Sequence, residues 1–537
     1  MSMTSTKRSE GLAIRDSGPQ DNAARHAFVT RPSEGTKAPS KLVIALCMYA
    51  ALRILVFSAA FPLFNNVDER VHLMSIQMYA QGHLPGKDLP RMDPALARAY
   101  LAYWSPEYGR TQEDLDRNGI NAPVWQLSDQ AKDLAYTQAI YAQKLEEWLR
   151  RPNFEAQAPP LYYVVAAAWY KLGTAFGIRD WALLYWLRFL NAILYGLFVW
   201  LAYRFVCTVY PERSFLSLAV PGLLAVFPLD VFFGMNRDVI SPLLCAAALL
   251  LMANALTTKT TQYQPLLLAS FLVGLSFLVE VSNFVLYGAL AATLWIWLHR
   301  SSAVSRQKIR VVSASAAAAS LFPSLWMLRN YVVIGDLTAG RAKMNVLGWT
   351  VNSLAEVLHH PLFSPHGLSY FLVQLTENFW HGEYGWHGMR MRSASVDWFY
   401  VISSAFMILI FAVDFVRRRR TLPELQRWAG SQALFLVASS VLFLAALSVA
   451  FDYHNHGYPS RLYPYFVSGR IICGVLLPFV LIYASGLELV ANRIQKWVPP
   501  VAVLACLMLF ITISDIRVRA TVFSSPYNFF ALSRWPR

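Results

Sequence analysis

The stretch PPLYYVVAAAWYKLGTAFGI (159–178) is largely apolar and borderline in length for crossing a bilayer, and whether it crosses decides the sidedness of every later loop. Eleven further apolar runs surround it, at 41–64, 184–209, 214–233, 239–256, 264–279, 281–298, 310–328, 397–416, 432–451, 467–489 and 498–514. Each is near the length needed to cross a hydrocarbon core of about 30 Å as a helix, a structure that satisfies its own backbone in lipid. Over 537 residues, 56% are hydrophobic, 14% aromatic and only 15% charged. That composition belongs to an all-α polytopic membrane protein.

Charge resolves the borderline stretch. If 159–178 does not cross, the loops at 204–214, 257–263, 299–310, 417–427 and 490–497 share a side with the N-terminal segment. Those five loops hold 14 Lys or Arg, including the run RRRR at 417–420, against only Glu212 and Glu424. Loops rich in Lys and Arg stay in the cytoplasm, so 159–178 is read as a juxtamembrane or re-entrant segment. The transmembrane domain is then 41–515, with about eleven spans and a cytoplasmic N-terminus. Residues 1–40 are polar and lack the apolar core of a signal peptide, and are expected to be a disordered tail. The two large outward segments are 65–158 and 329–396, and 516–537 is expected as an outward tail.

The net charge of +15 is mostly accounted for by the cytoplasmic flanks. It does not argue for nucleic acid, since no basic stripe with interleaved aromatics occurs in a soluble domain. All five cysteines, Cys47, Cys207, Cys245, Cys473 and Cys506, fall within apolar runs, which leaves none for a disulfide in an outward loop. The stretch AKDLAYTQAIYAQKLEEWLRR (131–151) has apolar positions at helical spacing and reads as an amphipathic helix on the membrane surface.

The chemistry-bearing residues gather on the outward side. FPLFNNVDERVHLMSIQMYAQGHLP (61–85) leaves the first span and brings Asp68, Glu69, Arg70 and His72 to the membrane edge. Carboxylates there must reach water or serve a site, and a solvated helix end is the plain alternative. On the same side lie MNRD (235–238), with Asn236 and Asp238, then Arg329 with Asn330, and SGR (468–470), with Arg470. Such carboxylates and arginines suit a base that activates an acceptor hydroxyl beside cations that hold a phosphate leaving group. Nine of the eleven histidines also face outward. HGEYGWH (381–387) and YHNH (453–456) contain donors for a divalent metal, but neither has a standard ligand spacing. Interfacial anchoring is the expected role, and no cofactor is assigned.

The order of these motifs resembles the GT-C superfamily of polytopic glycosyltransferases, especially its protein-mannosyltransferase-like and related bacterial membrane branches, over roughly residues 41–489. DERVH (68–72) is similar to the family's Asp-Glu pair with a following His, and PPLYY (159–163) stands intact. NRD (236–238) resembles the Asn-Asp that opens a helix. Arg329, Asn330, Gly335 and Asp336 resemble an Arg-Asn pair with a later Gly-Asp. FWHGEYGW (379–386) resembles the Phe-Trp-Gly and Gly-Trp element, and GRIICGVLLP (469–478) the late Gly-Arg followed by Leu-Pro. Two departures stand out: Glu280, where many relatives carry Lys, and Arg237, which splits the Asn-Asp pair.

The resemblance implies a GT-C-like bundle in a bacterial inner (plasma) membrane. It implies transfer of a sugar from a polyprenyl-phosphate donor to a glycan, lipid or protein acceptor on the outer face, with membrane lipids as the remaining partners. Asp68 is the implied general base, supported by Glu69 and His72; Arg329, Arg470, Tyr162, Asn236 and Asp238 are the implied donor and phosphate contacts, and a divalent metal stays open. A single displacement inverts the anomeric centre. The alternative class is a transporter or lipid flippase, but such proteins usually carry internal repeats and helices interrupted at the midplane, and neither is visible here. A scaffold subunit explains the spans but not the converging charges.

Overall fold

The computed structural model describes residues 40–111, 113–114, 145–257, 263–454 and 459–533. All but the last residue of the tail expected at 1–40, most of the surface helix expected at 131–151, and His456 lie outside the described residues.

Among the described residues, nine helices are long and apolar enough to cross a membrane: Lys41–Ala60, Asp180–Val209, Arg237–Thr257, Val281–Arg300, Ser305–Ile334, Ala394–Arg418, Glu424–Ala450, Gly469–Ile494 and Pro500–Leu532. Two shorter apolar helices, Ser214–Val226 and Gln264–Phe277, coincide with the two remaining apolar runs of the sequence. The protein is an all-α polytopic membrane protein. Helix ends depart from the apolar runs where proline intervenes. The 214–233 run is helical only to Val226, because Pro228 disfavours the helical conformation of Phe227, which turns extended at ψ 124°. A 3₁₀ turn, Asp230–Phe233, follows.

The 159–178 stretch forms the 15-residue helix Leu161–Ala175. At 1.5 Å per residue that is about 22 Å, short of a hydrocarbon core of about 30 Å. It packs on the helix Glu69–Ala80 and doubles back along Asp180–Val209. There Trp169 and Trp186 stack with ring centroids 4.2 Å apart, and each indole N–H donates to the other's carbonyl, at 2.7 and 2.9 Å.

Two helices organise the bundle. Asp180–Val209 packs on Ser40–Ala60, Ser214–Val226 and Ser241–Thr257, while Leu476–Ile494 packs on Ser214–Val226, Ala394–Arg418 and Glu424–Ala450. The apolar window of Gly469–Ile494 is 94% buried, against 22% for that of Ser305–Ile334, which leaves the latter to lipid. At one end of the bundle, ion pairs Arg213–Glu488 and Arg300–Glu424 (3.0 Å) tie together the short arginine-rich connections. The opposite end, the loop end, carries the long connections and two small antiparallel ladders, Thr350–Val351 with Phe451–Asp452 and Gly385–Trp386 with Met389–Arg390. The second ladder turns through His387 and Gly388, both at positive φ (52° and 74°), as a two-residue type I′ hairpin requires.

After Arg519, where the last long α-helix ends, the chain does not trail away. Phe529 packs on Tyr185 and Phe189, with centroids 5.2 and 5.8 Å apart, and Ser525 hydrogen-bonds Glu107. Residues 516–533 therefore belong to the folded body.

Candidate functional site

At the loop end, three spanning segments begin as 3₁₀ turns rather than as α-helix: Arg237–Ile240, Val281–Phe284 and Gly469–Val475. The third packs on the other two. It reaches this position because residue 469 is glycine: a Cβ there would lie 2.4 Å from the Phe379 backbone nitrogen. The close approach lets Arg470 enter a space between the first loop and the Arg237–Ile240 turn. In a 3₁₀ turn neighbouring side chains diverge by about 120°, so Arg237 and Asp238 serve different partners. Asn236 caps the turn, accepting from the Asp238 N–H at 2.9 Å.

Asp68 is the N-cap of Glu69–Ala80, yet its side chain makes no capping hydrogen bond, and its backbone sits in the left-handed region (φ 59°, ψ 6°). Residues with a Cβ are disfavoured there, Asp less than most, and Asp is otherwise a strong capping residue. The carboxylate forgoes the cap and accepts from Arg470 Nη2 at 2.9 Å. Arg470 Nη1 reaches Asp238 Oδ2 at 3.1 Å and its Nε stands 3.5 Å from Glu383 Oε2, so one guanidinium serves three carboxylates. Asp238 is buried, while the Asp68 side chain keeps 32% exposure.

A second charge group adjoins the first. Arg237 Nη1 pairs with Glu155 Oε2 at 2.9 Å and its Nε with Glu280 Oε2 at 2.7 Å, while Lys343 holds the other Glu155 oxygen. Burial alone raises the pKa of Glu155, but Arg237 and Lys343 outweigh burial and hold its carboxyl well below the usual range. The two groups meet at a cavity of about 660 Å³, lined by Asp68, Glu155 and Glu383, by Arg237, Lys343, Arg390 and Arg470, and by Trp349 and Phe466. The Gly385–Arg390 hairpin forms one wall, and Arg390 Nη1 donates to Asn378 Oδ1 at 2.8 Å. Beyond the hairpin, a second cavity of about 580 Å³ shares Met389 and Arg390 with the first and adds Tyr370, Arg392 and Tyr463. Charges of both signs beside aromatic faces suit a polar ligand that carries an anionic group and hydroxyls.

Of the residues singled out from the sequence, the structure brings Asp68, Asp238 and Arg470 into direct contact and sets Asn236 directly behind them. Tyr162 is buried against the Asn236 backbone. Glu69 does not reach the cavity. Its side chain has 0% exposure, and Arg188 grips both oxygens at 2.6 Å, with the Asn65 N–H at 3.0 Å and the Met235 N–H at 2.9 Å. His72 is also buried, its Nδ1 2.9 Å from the Tyr163 hydroxyl, and burial pushes its pKa down to about 3. Arg329 lies elsewhere at the loop end, bonded to the Pro85 carbonyl and stacked over Trp326 at 5.3 Å.

The sequence reading did not select Glu155, Lys343, Glu383 or Arg390 as site residues. Glu383 lies inside the quoted motif HGEYGWH and Glu155 four residues before PPLYY, so a signal was present; Lys343 and Arg390 belong to no motif, and only the fold brings them in. The histidine clusters are otherwise engaged. His381 Nδ1 lies 2.6 Å from Asp397 Oδ1, and His387 stands 3.8 Å from Glu107. Among the described residues, no group of three or more His, Cys, Asp or Glu side chains is arranged to hold a metal ion.

A family model described as "Predicted membrane protein (DUF2142)" matches residues 51–456, more than half of the chain and every part of the cavity wall except the segment from Pro459 to Ile471. No curated protein matches the chain.

Proposed function

The chain belongs to the DUF2142 family of predicted membrane proteins, and on that premise we propose that the loop-end cavity is the active site of a membrane glycosyltransferase that takes a sugar from a polyprenyl-phosphate donor. The observation that carries the reading is the conformation of Asp68. A strained capping residue gives up its cap to place a partly exposed carboxylate on the wall of a polar cavity, beside an arginine shared with two further acids. A mere helix end has no such need.

In this reading the cavity opens on the outer face of the membrane. The acceptor hydroxyl attacks the anomeric carbon, and its proton passes to the Asp68 carboxylate. The bond from that carbon to the phosphate oxygen breaks, and the electron pair leaves with the phosphate. The leaving group is already anionic, so it needs cations rather than a proton; Lys343 and Arg390 on the cavity wall supply them. Arg470 keeps the Asp68 carboxylate oriented, and a single displacement inverts the sugar. The acceptor, a glycan, lipid or protein, has a route in from the adjoining cavity at Tyr370 and Tyr463.

Transport or lipid flipping has less support. The interrupted helices break at the loop end rather than near mid-bundle, and the segment beneath Arg470 is packed along its length. The deciding experiment incubates the purified protein with a panel of polyprenyl-phosphate sugars and measures sugar release or transfer. Turnover of one donor that is lost in Asp68→Asn supports the reading. Binding without turnover across the panel, in wild type and variant alike, defeats it.

A further inference from the structure

The opposite end of the molecule carries a second built feature, independent of the proposed reaction. The helices Ala394–Arg418 and Leu476–Ile494 run the same way through the bundle and touch backbone to backbone at Gly486, where a Cβ would lie 2.5 Å from the Met407 carbonyl oxygen. Beyond that contact, toward the arginine-rich end, a groove of about 420 Å³ opens between them.

The groove is amphiphilic along its length. Leu409, Val413 and Leu489 line the stretch nearest the contact, and Arg417, Arg418 and Arg493 line the mouth. Leu409 and Val413 are exposed, which suits contact with acyl chains. At the mouth, Asp414 is matched with Arg418 at 2.9 Å. Arg417 and Arg493 have no ion-pair partner among the described residues, so the mouth keeps two uncompensated cations above an apolar trough. Arginines in the last turn of a helix also favour its carbonyl end, but that tendency does not account for two helices facing their arginines across a cavity.

We propose that this groove binds one anionic phospholipid, its phosphodiester between Arg417 and Arg493 and an acyl chain along Leu409 and Val413. A free phosphate has no use for the trough, and a zwitterionic lipid brings its own ammonium against the arginines. The site lies at the end remote from the loop-end cavity, so its ligand is a structural or regulatory lipid rather than a donor.

The test is native mass spectrometry of the full-length protein in mild detergent, titrated with phosphatidylglycerol or phosphatidylcholine. Basic residues near an anionic headgroup contribute about fivefold in affinity each, so Arg417→Gln with Arg493→Gln should weaken the first phosphatidylglycerol by about 25-fold. Arg419→Gln with Arg420→Gln removes the same charge next to Arg417 but outside the groove, and should change it by less than about twofold. Val413→Trp fills the trough while leaving every arginine, and should weaken binding without altering net charge. Excess inorganic phosphate should leave the bound lipid in place. Equal weakening by both arginine pairs, full binding in Val413→Trp, displacement by phosphate, or equal retention of phosphatidylcholine would each overturn the site.

Discussion

Asp68 and Glu69 are neighbours in sequence and each meets an arginine far along the chain, yet the two pairs are opposites. Glu69 is sealed: with 0% exposure, it engages both oxygens with Arg188, and Arg188 spends its remaining donors on the carbonyls of Ser58, Phe61 and Pro62. That pair fastens the end of the first span to Asp180–Val209. Asp68 is open: one oxygen meets Arg470, the other takes no hydrogen bond among the described residues, and the side chain faces a cavity. A carboxylate beside an arginine at a membrane edge is therefore not one kind of feature. What separates the two pairs is whether the carboxylate's lone pairs are already used.

The sharpest way to break the contrast is to neutralise each acid in turn. Asp68→Asn keeps size and hydrogen bonding but removes the proposed base. The expected result is a fall in transfer rate of about two to four orders of magnitude, with melting temperature and donor affinity nearly unchanged. Rates and melting curves on one preparation check both halves of that statement; near wild-type turnover would return Asp68 to an ordinary helix end.

Glu69→Gln should behave in the reverse sense. It strands the buried Arg188 guanidinium, and breaking one side of a buried pair costs about 3–5 kcal/mol. Low yield and a large drop in melting temperature are expected, with normal turnover per folded molecule. A Glu69→Gln protein as stable as wild type but inactive would invert the assignment of the two acids.

Lys343→Ala comes next. It removes a cation from the cavity wall, and a hydrogen bond to a charged group contributes about 1.5–3 kcal/mol, so donor affinity should fall by at least about tenfold. Isothermal titration with the donor found active, or with its sugar-free polyprenyl phosphate, gives the comparison.

His72 sharpens the contrast through pH. Its folded pKa of about 3 lies below the unfolded value near 6.5, so the buried neutral ring adds stability above pH 6.5. That contribution is lost as pH falls toward 3, because only the unfolded chain takes the proton. Between pH 7 and pH 5 the loss should approach about 2 kcal/mol, and a His72→Gln variant should show a shallower acid limb in melting temperature. Turnover should not titrate with this ring.

The spans were legible because membrane crossing demands long apolar runs, and charge bias ordered the loops around 159–178. The site was legible only where a residue's type and its position at a helix end coincide, as for Asp68, Asp238 and Arg470. Glu69 has the same residue type and position, and nothing in the sequence reveals that Arg188, near the start of the 184–209 apolar run, turns it inward. The two departures from the GT-C pattern that the sequence resembles, Arg237 and Glu280, turn out to be partners at 2.7 Å. Each looks like a defect alone, and only the fold makes them a matched pair. Lys343, on the short helix Arg341–Leu347, and Arg390, on the hairpin, enter through long connections whose course no local pattern encodes.

The smallest expected effect belongs to Arg329, and it tests where the phosphate goes. The resemblance to GT-C enzymes implies phosphate at this residue, but its guanidinium is engaged with the Pro85 carbonyl and with Asn330 Oδ1 at 3.2 Å, away from the cavity wall. The motif around it has a structural account. Gly335, at φ 82°, terminates the helix Ser305–Ile334, and Asp336 accepts from the N–H groups of Thr338 and Arg341 at 3.2 and 2.9 Å to start the next turn. Arg329→Ala should therefore lose only an interfacial contact, about 1 kcal/mol or less of stability, and leave donor affinity within about twofold of wild type. Set beside Lys343→Ala in the same titration, it distinguishes the two locations. If Arg329→Ala weakens the donor as much as Lys343→Ala does, the phosphate lies toward Pro85, and the open acid beside Arg470 must work from the far side of the sugar.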